Sequence, residues 1–468
     1  MKGLEVSILP LSEVSEENSK IRIDSGYFTK AALTAEALVE ALPNDPLGDL
    51  SDTFRKGIFD IKADTYVEPG EGVPFIRITD IKTGMIQKHS TAWIDHAAHS
   101  SEAKTALKFG DLVLSKTAYP AAAIVNVPDC NVSQDTIAVR LSTDGKRQYR
   151  TGYIAAYLNS AQGLALMARR FQGNVQQHLS LEDGKSIRIP RLSTPFQDRV
   201  HELVLRVDRQ QVAVTNAMLV AEDALLTAFG LANWTPPEPL AYTARATDVF
   251  ASGRFDARFY APRIQALLDL LAVDGRTIAN VADPRREKFR PDACAAFDYI
   301  EISDIDGAGA ATSTRLASED APSRATWHVR AGDIITSTVR PIRRLSAQIT
   351  PEQEGFVCSS GFVVVTPRDI APEVLLTYLR LPVICELLDL FASASMYPAI
   401  TDADIFNLPL PHIPDAMADQ VTQNVIAAKA AKARAASMLE AAKRAVEIAI
   451  EDGEPAAMAY LDQAEGAI

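Results

Sequence analysis

A chain of 468 residues is too long for one ordinary domain and points to two or three. With 47% hydrophobic and 23% charged residues it has the composition of a soluble globular protein, and no stretch nears the ~20 continuous apolar residues of a membrane helix. The net charge of −13 weighs against nucleic-acid binding, the scattered Cys130, Cys294, Cys358 and Cys385 against structural zinc or a disulfide framework, and the start "MKGLEVSILPLSEVSEEN" against secretion, so a cytoplasmic protein is expected.

In chain order, "RIDSGYF" (Arg22–Phe28) leads into an amphipathic helical stretch, "TAEALVEAL". "FIRITDI" (Phe75–Ile81) alternates apolar and polar residues as a strand, with a turn opening at Asp80. In "FGDLVLSKT" (Phe109–Thr117) a Gly-Asp turn feeds a buried strand, and "VSQDTIAV" (Val132–Val139) supplies another. "AAYLNS" begins a helix at Ala155, and "SIRIPRLS" (Ser186–Ser193) is an extended exit. A long helical run follows over 194–231, with Phe196, Val200, Leu203, Val207, Val214, Met218, Leu225 and Phe229 on one stripe. Gln210 and Gln211 interrupt this coiled-coil seam. "NWTPPEP" (Asn233–Pro239) closes the run as a stiff linker, because proline cannot continue a helix.

The whole series then recurs. "RFDARFY" (Arg254–Tyr260), "RIQALLDLL", "YIEISDI" (Tyr299–Ile305), "AGDIITSTV" (Ala331–Val339), "CSSGFVVV" (Cys358–Val365), "LTYLRL" at Leu376 and "NLPLPHIP" (Asn407–Pro414) keep the same order, at offsets between 220 and 232. Such ordered self-similarity is the mark of a tandem duplication. The second long run, 415–451, carries Met417, Val421, Val425, Ala428, Ala435, Met438 and Val446, and its many alanines admit a close partner backbone. Each helix would be ~55 Å long at 1.5 Å per residue. Two helices with one apolar stripe each pair most simply with one another, and antiparallel.

The predicted fold is therefore α/β (α+β): duplicated domains separated by an antiparallel coiled coil, with pseudo-two-fold symmetry. The expected boundaries are domain 1 at 1–193, helix 1 at 194–231, a linker at 232–253, domain 2 at 254–413, helix 2 at 414–451 and a tail at 452–468.

From about Ile21 to Ile450 this layout resembles the DNA-specificity subunit of type I restriction-modification systems. The Gly-Asp-apolar-apolar-x-Ser elements at Gly110–Ser115 and Gly332–Ser337 carry the likeness, as does "FQGNVQQHLSLEDGKSIRIPRL" (Phe171–Leu192). The second copy has no glycine where Gly173 stands, though Ile400 and Thr401 hold the Leu-Ser positions. The resemblance implies two target-recognition domains, each reading half of a gapped duplex DNA target. It also implies helices that dock two adenine-methyltransferase subunits, with a separate ATP-dependent translocase/endonuclease joining. Val200, Leu203, Val207, Val214, Met218, Val421, Val425 and Met438 mark those docking helices. Two readers on a rigid spacer meet one groove at intervals near one helical turn, ~34–36 Å.

No catalytic, metal or cofactor motif emerges, so a non-catalytic chain is expected. "DGKS" (Asp183–Ser186) has Leu179 where a phosphate loop needs its first glycine. "WTPPE" lacks the aromatic that follows the paired residues in an adenine-methyltransferase loop. His96 and His99 have no third ligand nearby. DNA reading calls for basic, amide and aromatic side chains on equivalent loops, and the loop after the Gly-Asp strand holds Lys116, Thr117 and Tyr119 in one copy against Ser337, Thr338, Arg340, Arg343 and Arg344 in the other. A second pair of loops sets Arg169, Arg170, Asn174, Gln176, Gln177 and His178 against Ser395, Met396 and Tyr397. The run Arg285, Arg286, Lys288, Arg290 suits phosphate positioning, and Arg22 and Arg254 each suit an ion pair with the Asp two residues on. The rival is a protein-interaction adaptor or decoy of the same fold, which the acidity favours; the module could also serve another DNA-modifying defence complex.

Overall fold

Gly110 and Gly332 stand at φ of 86° and 87°, a left-handed turn that glycine adopts without steric cost. The aspartate after each is buried, and its carboxylate accepts a backbone N–H three residues back, from Lys108 (2.9 Å) and Arg330 (2.8 Å). The four-residue strands that follow, Leu112–Ser115 and Ile334–Ser337, are buried throughout.

A computed structural model describes residues 7–10, 14, 22, 26–81, 84–86, 91–173, 177–392 and 399–467. The chain divides into two units, one of Met1–Gln211 with Lys432–Ile468, the other of Val212–Ala431. The first holds β1 (Asn44–Pro46), β2 (Ser51–Lys56), β3 (Val73–Ile76), β4 (Ala92–Ile94), β5 (Leu107–Lys108), β6 (Leu112–Ser115), β7 (Ala122–Ile124), β8 (Asp129–Val132) and β9 (Thr136–Leu141). Short β10 (Phe171–Gln172) pairs with β11 (His178–Leu179), and β12 (Arg188–Pro190) pairs with β1. Its two four-stranded sheets run β2-β9-β6-β7 and β4-β3-β8-β5.

The second unit holds β13 (Ala282–Pro284), β14 (Ala296–Ile300), β15 (Thr314–Ala317), β16 (Ala325–His328), β17 (Ile334–Ser337), β18 (Ser346–Gln348), β19 (Val357–Ser359) and β20 (Phe362–Pro367). Its sheets run β13-β20-β17-β18 and β15-β14-β19-β16. Matching strand for strand gives the same order twice, including one parallel pair in each unit, β3 with β8 and β14 with β19. The duplication is structural.

Local details correct the sequence expectation. "FIRITDI" is a strand only to Ile76; Ile78–Asp80 is a 3-10 turn that Asp80 closes rather than opens, by accepting the Arg77 N–H at 2.8 Å. Asp304 does the same for Glu301 at 2.7 Å. Ala155 and Leu376 lie inside helices Thr151–Leu158 and Pro372–Arg380, not at their starts. The first long helix spans Thr194–Ala228 and stops three residues short of the expected end, before Gly230 at φ 71°. The second spans Asp415–Glu451. Residues 232–253, expected as linker, contain the short helix Ala246–Ser252.

In the first unit the long helices run antiparallel. Ser193 N–H donates to Glu454 at one end (2.8 Å), and Arg434 Nε to Gln210 at the other (3.3 Å). Phe196, Val200, Leu203 and Val207 share a core there with Met438, Ala442, Ala445 and Val446. In the second unit Met218 and Leu225 share a core with Val421, Val425 and Ala428. Within 452–468, expected as a tail, Glu454–Ala467 is a helix. It buries Ala457 and Leu461 and bonds Arg199 through Asp462 (2.7 Å) and Glu465 (3.1 Å). Among the described residues no helix is long and apolar enough to cross a membrane.

One contact seats the first domain on its helix. His201 Nδ1 accepts the Gly152 N–H at 3.0 Å, so close that a Cβ at position 152 would stand 2.8 Å from His201 Cα. Gly152→Ala should therefore cost about 1–3 kcal/mol in denaturant unfolding. Burial, and then the nearby Arg150, hold His201 below its ordinary 6.5. Protonation removes the acceptor, so this stabilisation is complete above the ordinary value and is lost as pH falls through the depressed one. Melting curves across that window should shift downward with acid, and less so in His201→Asn.

Candidate nucleic-acid interface

The loop between β17 and β18 has an unusual backbone. Arg340 and Arg344 both sit in the left-handed region, φ 51° and 60°, around the 3-10 turn Pro341–Arg343. A non-glycine residue there costs roughly 1–2 kcal/mol and persists only where the surroundings impose it. They do. Ser337 Oγ donates to the Val339 carbonyl (3.0 Å), and Thr338 Oγ1 to that of Gly361 (3.0 Å). Arg380 Nη1 donates to the carbonyls of Arg344 (2.7 Å) and Ser346 (3.0 Å), while Arg344 Nε donates to the Arg380 carbonyl (2.6 Å) and Nη2 pairs with Glu222. Pro341 is buried.

What remains outside is Arg340, Ile342 and Arg343. All three are exposed, and the two guanidinium groups make no hydrogen bond or ion pair among the described residues. Two unsatisfied planar donors three residues apart, on a fixed loop, suit bidentate capture of guanine edges or phosphates.

The corresponding loop of the first unit also holds a left-handed residue, Ala118 at φ 63°, but its contacts are different. Thr117 is buried and bridges His178, and the Tyr119 hydroxyl donates to the Ile78 carbonyl at 2.8 Å. Lys116 is half-buried; burial, and then the like charge of Lys56, hold its ammonium below the ordinary lysine range. Lys56 lies 4.7 Å from the ring centre of Phe59, which is 70% exposed. Gln177 and His178 are exposed, and His178 bridges Thr117, next to Lys116. Lys56 and Phe59 escape sequence reasoning because they come from the end of β2, some sixty residues before Lys116, with no motif to join them.

Several candidates are committed to internal bonds instead. Thr117, Tyr119, Ser337, Thr338 and Arg344 hold the loops' own shape, as above. Arg169 is buried, paired with Glu36 and stacked 4.0 Å over Tyr27. Arg170 donates to the Leu166 carbonyl (2.9 Å) and to Ser186 Oγ (3.2 Å). Asn174, Gln176, Ser395, Met396 and Tyr397 lie outside the described residues. Arg285 and Arg286 pair with Asp333 (2.6 Å) and Asp402 (2.7 Å). Arg254 pairs with Asp256 at 2.7 Å, as the repeat implies; Asp24, the expected partner of Arg22, is outside the described residues, and Arg22 donates to the Arg169 carbonyl at 2.7 Å.

The docking stripe is corrected too. Val200, Leu203, Val207, Met218, Val421, Val425 and Met438 are buried within the chain, and Val214 packs against the second core, so none presents a free face. The large apolar residues that the long helices leave exposed are Val212, Leu219, Val220 and Ile426.

No family model matches the chain, and no curated protein does. Among solved structures it is similar to the type I restriction-modification S subunit from M. genitalium at 10% identity, over 87% of this chain and 95% of that one, with a TM-score of 0.39. It is similar to the HsdS subunit from Thermoanaerobacter tengcongensis at 16% identity, over 88% and 97%, with a TM-score of 0.28. The type IIG restriction endonuclease BpuSI matches at 11% identity over 39% of this chain and 29% of its own, with a TM-score of 0.30.

Arg169 illustrates the difference between a buried pair and a reader. Arg169→Ala strands Glu36 and removes the stacking on Tyr27, so it should destabilise the chain by about 3 kcal/mol or more in denaturant unfolding. An unchanged midpoint would show that this guanidinium is not part of the core.

Proposed function

We propose that this chain is the DNA-reading subunit of a type I restriction-modification complex. One observation carries the reading: a single strand order occurs twice, and the loop after the matched strand, β6 or β17, carries different cations, Lys116 in one copy and the exposed Arg340 and Arg343 in the other. Arg340 and Arg343 serve one half of a bipartite target, and Lys116, with Lys56 and Gln177, the other. Differing chemistry on and around a matched loop is what two readers of unlike half-sites need. The recognition domains are residues 1–193 and 254–413, and the long helices form the spacer that sets the gap.

Reading requires no catalytic group of its own. The chemistry belongs to two adenine-methyltransferase subunits docked on the outward faces of the long helices, where Val212, Leu219, Val220 and Ile426 remain exposed. An ATP-driven translocase/endonuclease joins them in a restricting complex. The charge of −13 favours a second reading, an adaptor that never touches DNA. In the reading preferred here, the partners supply most of the phosphate grip.

The two part on a binding measurement. The isolated chain should bind duplex DNA weakly at physiological salt, and added methyltransferase subunits should give tight, site-specific binding. An isolated chain with nanomolar specificity would refute this division of labour; a reconstituted complex with no site preference would favour the adaptor.

Single substitutions sharpen the test. If Arg340 or Arg343 forks onto guanine, its change to Ala should cost about 1–3 kcal/mol and relax one base of one half-site. If the contact is to phosphate, all sequences should weaken alike and the salt slope should fall by about one. Methylation-site sequencing with the reconstituted complex separates these outcomes. Unchanged motif and affinity in both variants would reduce the loop to ordinary surface.

A further inference from the structure

The arginines that face outward depend on one that does not. Arg380 is 3% exposed, at the end of helix Pro372–Arg380, and it donates to three backbone carbonyls: Arg344 (2.7 Å), Ser346 (3.0 Å) and Gly307. Two of these bracket the return of the loop into β18. Arg344 answers by donating to the Arg380 carbonyl (2.6 Å) and pairing with Glu222 of the first long helix. A planar guanidinium holds such diverging acceptors in fixed directions, which an ammonium cannot.

The first unit shows what this position does in the fold. Asn159 stands where Arg380 stands, fifth in "AAYLN" as Arg380 is fifth in "LTYLR". It donates to the Ala122 carbonyl at 2.7 Å, and Ala122 opens β7 as Ser346 opens β18. Both helices therefore grip the first residue of the strand behind the candidate loop. Asn159 reaches no further. With Ala155 in place of Leu376 and Pro120 in place of Arg344, the first unit keeps a cavity of about 580 Å³ behind its loop, lined by Tyr119, Leu164 and Leu439 among others. In the second unit the Leu376 and Arg380 side chains instead lie within 3.4 Å of where a Cβ on Gly309 would stand.

We infer that Arg380 is the positioning residue of the second reading loop, and that Arg344 and Glu222 extend its hold to the spacer helix. The two left-handed residues are kept in place by this network, and Arg340 and Arg343 are thereby aimed in one direction rather than many. Arg344 belongs to the brace and not to the contact surface. This inference rests on the DNA-reading role proposed above.

Arg380→Lys keeps the charge but loses the fork, and Arg344→Lys keeps the attraction to Glu222 but not the second donor. In the full complex with its methyltransferase subunits, each should lower discrimination at the second half-site roughly ten-fold, with the first half-site unchanged. Where Arg380→Lys does not fold, Glu222→Gln loosens the brace from the helix end and should act in the same direction. A merely structural role is separated by combination: in an Arg340→Ala, Arg343→Ala background, adding Arg344→Lys should change preference no further, because the residues it aims are gone. If wild type methylates a bipartite site and Arg344→Lys and Glu222→Gln keep full preference at both halves, the positioning role fails alone. Equal loss at both halves, or full additivity in the combined variant, overturns it as well. If wild type shows no bipartite site, the DNA-reading role itself has failed.

Discussion

Each unit hangs on a buried carboxylate that must be neutralised where it stands. Asp111 and Asp333 are 3% and 1% exposed, and an uncompensated charge so buried would cost several kcal/mol. In the first unit the cation is Arg140 on β9, at 2.7 Å. In the second, Thr366 occupies that position of β20 and donates to Asp333 at 2.7 Å, while Arg285 supplies the charge from beyond β13 at 2.6 Å. The requirement is constant although its solution changed sides. This aspartate starts the strand, β6 or β17, that lies between two neighbours in its sheet and ends in the candidate loop, so the loop begins from a fixed place in both copies.

The long helices face a comparable constraint. Each has one apolar stripe, and the chain uses it internally: Val200 to Val207 in the first unit and Met218 to Leu225 in the second meet small or branched residues of the other helix. The alanines at 441, 442, 445 and 449 are buried, and their small side chains leave room for close backbone approach. The other faces keep few large apolar residues exposed, Val212, Leu219, Val220 and Ile426.

Much of this is legible in the sequence, and the reason is periodicity. Alternation marks the strands, steps of three and four mark the helices, and the order of both repeats. Strand order is not legible, because a parallel neighbour such as β8 beside β3 leaves no local trace. Nor is the fate of a loop side chain. Tyr119, Thr338 and Arg344 look free in sequence, yet each bonds a carbonyl between 23 and 41 positions away. Arginine is especially deceptive: Arg169, Arg344 and Arg340 share one side chain, and only burial tells core, brace and surface apart. The helix Glu454–Ala467, expected as a tail, follows a left-handed glycine, Gly453, and carries Pro455 in its first turn, where proline is tolerated.

The duplicated scaffold confines variation to where it does least harm. The backbone closes both loops in one way: Ser115 N–H donates to the Ala121 carbonyl and Ser337 N–H to that of Leu345, each at 2.9 Å. The first bond spans six positions and the second eight, 121 − 115 against 345 − 337, so two extra residues are absorbed entirely outside the sheet. Lengthening a surface loop costs little closure entropy, on the order of tenths of a kcal/mol here. Closure adds little cost; holding the longer loop in one shape adds more, and the second unit has a buried guanidinium behind its loop, Arg380, where the first has Asn159. In both copies the aspartate behind the strand and the residue at the helix end are satisfied, while the outer side chains of the loops differ.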